Sequence, residues 1–576
     1  MEIPNTLLGQ YDMVLSLSES KINAEMQQLY LDRLLDRDWK ILSDLTGTLR
    51  RNHRDSDFDD QKRLWLDQSG NNQLIELKAH LDRLGELLEQ PNADRETIIA
   101  QRIATRAKIA AAEKTTVPGY NLLIEATIDP PKISVIPGRS RELLFSFILN
   151  SGQVTYRNNT RQQQYDIRNL VYTFVVPVSK RQIEKEDIQA DPKFTAHITE
   201  DFTVESILLN FAKADIANYV SIESKMSTDP ELNAWLQLVV GNYFRELGKN
   251  KDNPYILGYA VQRPELKDIG TAMLEPTGVS YSTSHSEMDR ASAFNFLMLT
   301  GGKEFPILPQ GGRIDKSLIE SVHLKDETVN GLIGINFRVF EKTYLARINQ
   351  TVLDAFCDFV PGLALKSDTN YTAKSFDLHY SDNMKITIAR TGIKSDDLKR
   401  SLSIQYEISI HASLHDELEA LVGTVGVNQK FSTSGKYEVN GQKGKAGKLV
   451  VELTAAHYGQ IIATVESGGY QPPVLARDTE EPEYNKKGIF DKVWLGMSNM
   501  VRRVDELEKM YNTNFTTRIS KQLENTAFNE LNKFSDRLIL PASNVYTFLN
   551  VRLLSGELND SDVVLFDISY VPLSNQ

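Results

Sequence analysis

A helical segment that is apolar on more than one side constrains the fold of this chain most. It begins at Asp229, which suits a helix N-cap, has Pro230 in its first turn, and is expected to end at Gly248. Leu238 and Phe244 widen its apolar stripe beyond one face. The main stripe consists of Leu232, Trp235, Leu236, Val239, Val240, Tyr243 and Leu247. A flat surface cannot cover such a helix, so the sequence predicts that it is surrounded on several sides.

Segments with the character of β-strands precede and follow this helix. Runs rich in β-branched and aromatic residues are bounded by Pro, Gly, Asn and Asp, which predicts antiparallel strands with short connections. The preceding runs are NLLIEATI, SRELLFSFIL, NLVYTFVVPV and TVESILLNFA. After the helix, PYILGYAV at 254–261 returns to a strand pattern.

The segment Tyr11–Tyr30 changes its hydrophobic period halfway through. Alternation of apolar and polar residues predicts a half-buried strand, and a spacing of four and three then predicts a helix with Ser18 or Ser20 as its N-cap. The strand residues are Tyr11, Met13, Leu15 and Leu17, and the helix residues are Ile22, Met26 and Leu29. We expect strand and helix to contribute to one apolar layer.

The last two hundred residues repeat the order of strands followed by a broadly apolar helix. The strand patterns are MKITIAR, LSIQYEISI, KLVVELTA and QIIATVES. A helical stretch from about 488 to 538 follows, and the strands LILPASNVYTFLNVRLL and VVLFDISYV close the chain. A chain of 576 residues is too long for one core, so we predict two modules, 1–372 and 373–576.

Residues 71–115 interrupt the first module with a helical pattern. The heptad spacing of one run and a second apolar run after Pro91 predict an antiparallel helical hairpin. The first run contains Leu74, Leu77, Leu81, Leu84 and Leu88, and the second contains Ile98, Ile99, Ile103, Ile109 and Ala110. Two interpretations stay open: a packed excursion from the fold, or an arm that binds a partner.

The composition limits the classes of function. With 65 Lys plus Arg against 77 Asp plus Glu, the net charge of −12 gives no electrostatic reason to expect a nucleic-acid partner. The one cysteine, Cys357, excludes an internal disulfide, and its apolar neighbours predict a buried, unreactive thiol. The amino terminus has no signal-peptide pattern, and no window approaches ~18 consecutive apolar residues. We therefore expect a soluble protein without a transmembrane segment, cytoplasmic on synthesis, whose release would need a non-classical route.

The sequence motifs of common enzymes and metal sites are absent. His411 and His415 are four residues apart, but the glutamate of a zinc-protease motif does not stand between them. GQKGKAGK at 441–448 and TGGKEFP at 300–306 lack the spacing of a phosphate loop, and VESGGY lacks the first glycine of a nucleophile elbow. We expect no catalytic residue, no metal site, no cofactor and no enzymatic activity.

Strands rolled around a broadly apolar helix leave an elongated cavity if side chains do not fill the interior. Such a cavity would bind lipid-like ligands, because burial of each acyl methylene is worth ~0.8 kcal/mol. The candidate lining residues are Leu232, Trp235, Val239, Tyr243, Phe490, Trp494, Met497 and Val501. The alternative is a tightly packed core without a ligand.

Segments that carry a family resemblance are spread over most of the chain. They are YDMVLSLSESKINAEM, ILLNFAKADI, NPYILGYAV, ASAFNFLMLTGGKEFP, RLILPASNVYTFLNVRLL and DISYV. In these segments the chain resembles the bacterial P-forty-seven protein family, which is encoded in clostridial neurotoxin gene clusters and belongs to the tubular lipid-binding (TULIP) superfamily. None of these segments is a catalytic signature.

The resemblance implies an α+β fold in which highly curved antiparallel sheets wrap around long apolar helices, here with the helical hairpin as an insertion. It also implies non-enzymatic binding of a lipid or another hydrophobic ligand, and an accessory role beside a toxin or another secreted complex that would supply a protein partner. The alternative function is a structural or assembly protein with solidly packed tubes that acts through protein–protein contacts.

Overall fold

The computed structural model of the chain describes most of its residues. These are 7–44, 49–51, 57–66, 68–90, 94–115, 120–157, 162–190, 203–216, 218–249, 253–262, 274–288, 291–305, 312–314, 317–322, 329–359, 362–381, 384–396, 400–412, 445–455, 461–468, 517–519, 521, 523, 538–540, 545–554 and 562–571.

Helices and strands alternate irregularly along the described residues. The helices are α1 (Glu19–Leu31), α2 (Phe58–Leu66), α3 (Gln68–Leu88), α4 (Arg95–Thr115), α5 (Lys185–Ala190), α6 (Pro230–Lys249), α7 (Leu318–Val322), α8 (Phe337–Phe340) and α9 (Ala346–Phe359). A 3₁₀ turn spans Phe211–Lys213, and a π-helical turn, Glu341–Leu345, joins α8 to α9.

The strands fall into antiparallel sheets, which confirms the predicted α+β class. They are β1 (Met13–Ser18), β2 (Asp38–Ser43), β3 (Leu49–Arg51), β4 (Leu122–Val135), β5 (Glu142–Arg157), β6 (Gln162–Gln182), β7 (Thr203–Leu209), β8 (Ile256–Gln262), β9 (Gly278–Ser284), β10 (Ala293–Leu299), β11 (Gly331–Asn336), β12 (Ala364–Leu365), β13 (Ser375–Ser381), β14 (Met384–Asp396), β15 (Ser401–Ala412), β16 (Lys445–Ala455), β17 (Ile461–Gly468), β18 (Leu538–Ile539), β19 (Val545–Leu554) and β20 (Val563–Val571).

The chain divides into two compact units, neither of which is continuous in sequence. The first unit comprises Met1–Ser18, Ile183–Val204 and Tyr259–Gln576, and the second comprises Glu19–Gln182 and Glu205–Gly258. The boundaries of these units do not test the predicted modules, 1–372 and 373–576, which stay a prediction.

The second unit contains a curled antiparallel sheet in the order β7–β6–β5–β4–β2–β3. Strand β6 pairs with β5 over Gln162–Pro177 and with β7 over Val178–Gln182. The pairing of β4 with β5 shifts in register beside Thr127 and Asp129. Such shifts bend strands, which lets a sheet curve around what it covers.

The first unit contains two six-stranded antiparallel sheets. Their orders are β19–β20–β11–β1–β10–β9 and β12–β13–β14–β15–β16–β17. Strand β1 lies inside its sheet, where Met13 pairs with Met298 of β10 and with Ile335 of β11. Every residue of β1 is buried, so the expectation of a half-buried strand was wrong: a central strand packed on both faces has no solvent side.

The direct transition from strand to helix at Ser18 is confirmed, since α1 begins at Glu19. Ile22, Met26 and Leu29 are buried as predicted, together with an unexpected ion pair of 2.7 Å between Lys21 and Glu25. The expectation that strand and helix contribute to one apolar layer stays a prediction. Strand β1 belongs to the first unit, whereas α1 packs on β4 in the second, where the Asn23 amide bonds the backbone N and O of Ile133.

The predicted helical hairpin is confirmed as α3 and α4, which pack on each other. Leu84 is buried, and the other leucines of the predicted seam are partly buried. The second apolar run is not a single face, because Ile109 is buried whereas Ile99 and Ile103 are exposed.

The helical stretch predicted from about 488 to 538 lies almost wholly outside the described residues. Within it, Thr517–Ile519, Lys521 and Leu523 are helical, and Ile519 and Leu523 are fully buried. The four strand patterns that precede it form β14 to β17, and the closing patterns form β18 to β20.

Candidate hydrophobic-ligand site

Helix α6 begins where the sequence predicts. The Oδ1 atom of Asp229 accepts a hydrogen bond of 3.0 Å from the backbone N of Leu232, which satisfies one of the free N–H groups of the first turn. Pro230 is the first helical residue, a position at which no backbone donor is lost.

Gly248 is the penultimate residue of α6, and glycine is required there because another backbone segment lies very close. The 3₁₀ turn Phe211–Lys213 passes so near that a Cβ added to Gly248 would lie 2.3 Å from the backbone N of Ala212. Real Cβ atoms do not approach that closely, so only glycine lets α6 and the turn pack together.

A cluster of aromatic rings fills the space between α6 and the strands. Phe244 lies with its ring centroid 4.7–6.2 Å from six other rings, in edge-to-face or tilted arrangements. Four of these rings belong to Phe145, Phe174, Phe211 and Tyr255. All five residues are buried. We call these five residues the aromatic cluster.

Tyr243, the neighbour of Phe244, continues this packing with a polar end. Its ring meets Trp39 edge-on at 5.7 Å, and its hydroxyl donates a hydrogen bond of 2.9 Å to Asp36. The Arg51 guanidinium lies 5.2 Å from the ring centroid. Burial raises the pKa of Tyr243 well above its ordinary value, with Tyr255 and Asp36 adding to the effect. The hydroxyl therefore stays a hydrogen-bond donor.

Trp235 occupies a more open position than the other predicted lining residues of α6. It is partly buried and stacks on Tyr156 at 4.5 Å, while Tyr165 meets it edge-on at 5.4 Å. The Tyr165 hydroxyl donates a hydrogen bond of 2.9 Å to Glu231, one turn before Trp235.

The structure therefore separates the predicted lining residues. Leu232, Val239 and Tyr243 are buried in the packed core of the second unit, and Trp235 is partly exposed. The other four, Phe490, Trp494, Met497 and Val501, lie outside the described residues. Ligand binding by any of the eight stays a prediction.

A second apolar surface, which the sequence analysis did not single out, lies in the first unit. The described side chains of β13–β16 alternate between a buried face and a more exposed face, and Val465 of β17 is buried as well. The buried face is mostly aliphatic. We call it the aliphatic face. Its buried members are Phe376, Leu378, Ile386, Ile388, Leu402, Ile404, Tyr406, Ile408, Leu449, Val451, Leu453 and Val465. Strict alternation in LSIQYEISI is the signal that could have identified it.

Strand pairing brings these side chains into rows. Ile404 lies opposite Val451, which in turn lies opposite Val465. Phe376 lies opposite Ile388, and Ile388 opposite Ile408. Neighbouring strands therefore form a continuous hydrocarbon surface.

One buried polar link joins the aliphatic face to α9. The hydroxyl of Tyr406 donates a hydrogen bond of 2.6 Å to Oδ1 of Asn349, and the Asn349 amide donates one of 2.7 Å to the Tyr371 carbonyl. Tyr406 and Asn349 are fully buried, and burial raises the pKa of Tyr406. Beside this link, Arg390 forms an ion pair of 2.9 Å with Glu341 of the π-helical turn.

The glycine-rich segment at 300–306 has a structural role. Asp12 accepts hydrogen bonds from the backbone N and Oγ1 of Thr300, and it pairs with Lys303. Gly301 and Gly302 adopt φ values of +63° and +73°, which residues other than glycine rarely adopt. The lysine and glycines thus close a turn. Of the segment 441–448, only Lys445–Lys448 is described, as the start of β16.

Groups suited to metal or nucleophilic chemistry are sparse in the described part of the chain. No cluster of three or more His, Cys, Asp or Glu side chains that could hold a metal ion occurs there. His411 lies in β15, and His415 is outside the described residues. Cys357 is partly buried, and burial, followed by Asp354 and Asp358, raises the pKa of its thiol.

A cleft of about 440 Å³ between α1 and the β4–β5 region has a mixed lining. Its lining residues are Asn23, Gln27, Asp129, Pro130, Pro131, Lys132 and Ile148. The amide of Asn23 is already bonded to Ile133, and Asp129 accepts a hydrogen bond from Asn150. Its lining polar groups are therefore partly engaged by the fold.

Among the described helices, none combines the length and apolar character that crossing a membrane requires.

No protein-family model matches the chain, and no curated protein matches it in sequence. Solved structures do match. P47 of Clostridium botulinum E1 is 9% identical at a TM-score of 0.45, covering 98% of this chain and 99% of its own. P47 from Clostridium botulinum A2 is 9% identical at a TM-score of 0.40, covering 97% of each chain. A lipopolysaccharide binding protein is 8% identical at a TM-score of 0.31, covering 98% of this chain and 99% of its own. Two of these three structures thus carry the name of the family that the sequence resembles.

Proposed function

We propose that the protein binds a lipid or another hydrophobic ligand without transforming it, and that the aliphatic face of the first unit lines the site. The observation that carries this proposal is the continuous run of buried aliphatic side chains over five paired strands. Such a surface suits an acyl chain, because each buried methylene contributes ~0.8 kcal/mol and no fixed polar partner is required.

The predicted lining residues of the last helical stretch complete this proposal. Phe490, Trp494, Met497 and Val501 lie outside the described residues. We propose that they contribute to binding the same ligand. In the second unit, Trp235 is the predicted residue most open to a ligand, because Leu232, Val239 and Tyr243 are buried among other side chains.

Native mass spectrometry of the purified full chain, followed by organic extraction and lipid analysis, tests the proposal. We expect a bound mass in defined stoichiometry. A photoactivatable fatty acid should then label peptides from 376–408, 449–465 and 490–501 in preference to peptides of the aromatic cluster. A mass equal to that of the chain alone, with no saturable uptake of a fluorescent acyl probe, would contradict it.

A matched pair of variants distinguishes a ligand-filled space from a packed core. Val451 points into the aliphatic face, whereas the adjacent Val450 is only partly buried. We expect Val451→Phe to lower the bound lipid at least twofold while the protein stays folded, and Val450→Phe to leave it unchanged. Loss of folding by Val451→Phe without any change in the lipid bound by the remaining folded protein would argue for a solid core.

A second candidate function is that of a non-enzymatic assembly protein with a solid interior. The aromatic cluster supports it, because five interlocked rings leave little space beside α6. Thermal unfolding before and after organic extraction separates the two candidates. A bound ligand stabilises the folded state, so its removal should lower the midpoint, whereas a solid interior predicts no change.

A further inference from the structure

Helix α4 carries two stripes of side chains, and only one of them packs on α3. The packed stripe has a spacing of four and three and is buried or partly buried. Its members are Ile98, Arg102, Thr105, Ile109 and Ala112. Gly85 of α3 lies beside it, since a Cβ added there would be 3.9 Å from Nη2 of Arg102. The hairpin contact is complete without the other side of α4.

The second stripe is exposed and has two large aliphatic side chains between two arginines. It has the same helical spacing and consists of Arg95, Ile99, Ile103, Arg106 and Ala110. The exposed fraction is 49% for Ile99 and 64% for Ile103. Two large aliphatic side chains one turn apart leave a hydrocarbon surface in contact with water, which is unfavourable unless something covers it.

Cations surround these isoleucines. Between positions 95 and 112 there are four cations, Arg95, Arg102, Arg106 and Lys108, and one anion, Glu96. Arg95, Arg106 and Lys108 are exposed, and no ion pair engages them among the described residues. The local charge is thus opposite to the net charge of −12 of the whole chain.

We propose that the second stripe of α4 docks on the surface of an anionic lipid bilayer. Ile99 and Ile103 enter the boundary between headgroups and acyl chains. The guanidinium groups of Arg95 and Arg106 bind anionic headgroups, while the aliphatic parts of these side chains lie along the apolar boundary. A single exposed helix face with both features suits a planar interface, because it offers no groove to enclose a protein segment. This docking is independent of the ligand proposed for the interior of the first unit.

Flotation of the full chain with large vesicles tests this proposal. Phosphatidylcholine vesicles are compared with vesicles that also contain phosphatidylserine. We expect binding to the anionic vesicles that weakens as salt rises. The pair Arg95→Gln and Arg106→Gln should weaken it about 25-fold, since each cation near an anionic surface contributes about fivefold. The pair Ile99→Ser and Ile103→Ser should weaken it about tenfold.

Ile222 supplies the matched control. It is 92% exposed and lies outside helices and strands, so Ile222→Ser removes a more exposed isoleucine from another place and should leave vesicle binding unchanged. Circular dichroism checks that the variants stay folded. Equal binding to both vesicle types, no binding to either, or wild-type binding by both double variants would overturn the proposal. Salt-sensitive capture on immobilised poly-glutamate without vesicle binding would overturn it in favour of an acidic protein partner.

Discussion

In the second unit rings surround helix α6, whereas in the first unit the buried side of β13–β17 is mostly aliphatic. Around Phe244 the rings meet in edge-on or tilted arrangements at 4.7–6.2 Å, and each such contact adds about 0.5–1.5 kcal/mol beyond the area it buries. Opening a space there would break several oriented contacts at once. Aliphatic side chains lack that preference for orientation. Contacts between them can therefore be replaced by contacts with the hydrocarbon chain of a ligand. The difference supports a structural role for the aromatic interior and supports our proposal that the aliphatic interior binds the ligand.

Removing a central ring tests the aromatic side of this comparison with the largest effect. Phe244→Ala should lower the free energy of unfolding by about 3–5 kcal/mol, because a large cavity replaces the ring. Urea titration followed by tryptophan fluorescence measures it, since Trp39, Trp65 and Trp235, three of the four tryptophans, belong to the second unit. A loss below about 1 kcal/mol would show that the rings do not hold this interior together.

Gly248 tests how tightly the same interior is closed. Gly248→Ala places a Cβ 2.3 Å from the backbone of Ala212, so we expect a loss of about 3 kcal/mol in the same titration. Gly241→Ala in the same helix is the control. Its added Cβ would lie 3.4 Å from Ile216, and alanine favours helix, so its effect should stay within about 1 kcal/mol. Equal effects of the two variants would contradict a close helix–turn contact at Gly248.

Two tyrosines sharpen the comparison between the units. Tyr406→Phe in the first unit removes a hydroxyl that bonds Asn349, leaving a buried oxygen without that donor, and should cost about 2 kcal/mol in unfolding free energy. Tyr172 in the second unit is equally buried, but its hydroxyl has no hydrogen-bond partner among the residues that the structure describes. Tyr172→Phe should therefore be neutral or stabilising. The reverse order of the two variants in thermal unfolding would count against this assignment.

The smallest expected effect concerns the thiol near the end of α9. Burial, with Asp354 and Asp358, raises the pKa of Cys357, so less thiolate is present at pH 8 than in a free cysteine. Iodoacetamide should alkylate Cys357 more slowly than it alkylates glutathione at pH 8. The rate for Cys357 should keep rising at pH values where the rate for glutathione has become constant. Alkylation as fast as glutathione at pH 8 would contradict the raised pKa.

Local patterns were enough to predict several elements. The cap at Asp229, the strands β4 to β7 and the hairpin of α3 and α4 follow from residue spacing within short segments. The two-sided burial of β1 could not be predicted in this way, because the residues that pack with Val14, such as Leu318 and Leu565, come much later in the chain, as do the paired strands β10 and β11. Hydrophobic period indicates which side of an element is apolar, but not what covers it.

The candidate site shows the same limit. The sequence identified the broad stripe of α6, yet the contrast between Val239 and Trp235 depends on neighbours supplied by distant strands. Tyr156 and Tyr165, which hold Trp235 at a partly exposed position, precede it by many residues and have no spacing relation to it. The aliphatic face was visible as four strand patterns, but its continuity depends on register, such as Ile404 opposite Val451.

The pairing of β1 has a consequence for the order in which the protein folds during synthesis. Met13 is synthesised before the second unit, but its partner Met298 follows only after the whole second unit has been made. The sheet is completed when β20, Val563–Val571, pairs with β11, after the other strands of the sheet have been made. We therefore expect the second unit to fold first, while the opening strand waits with its apolar side chains uncovered and open to chaperones.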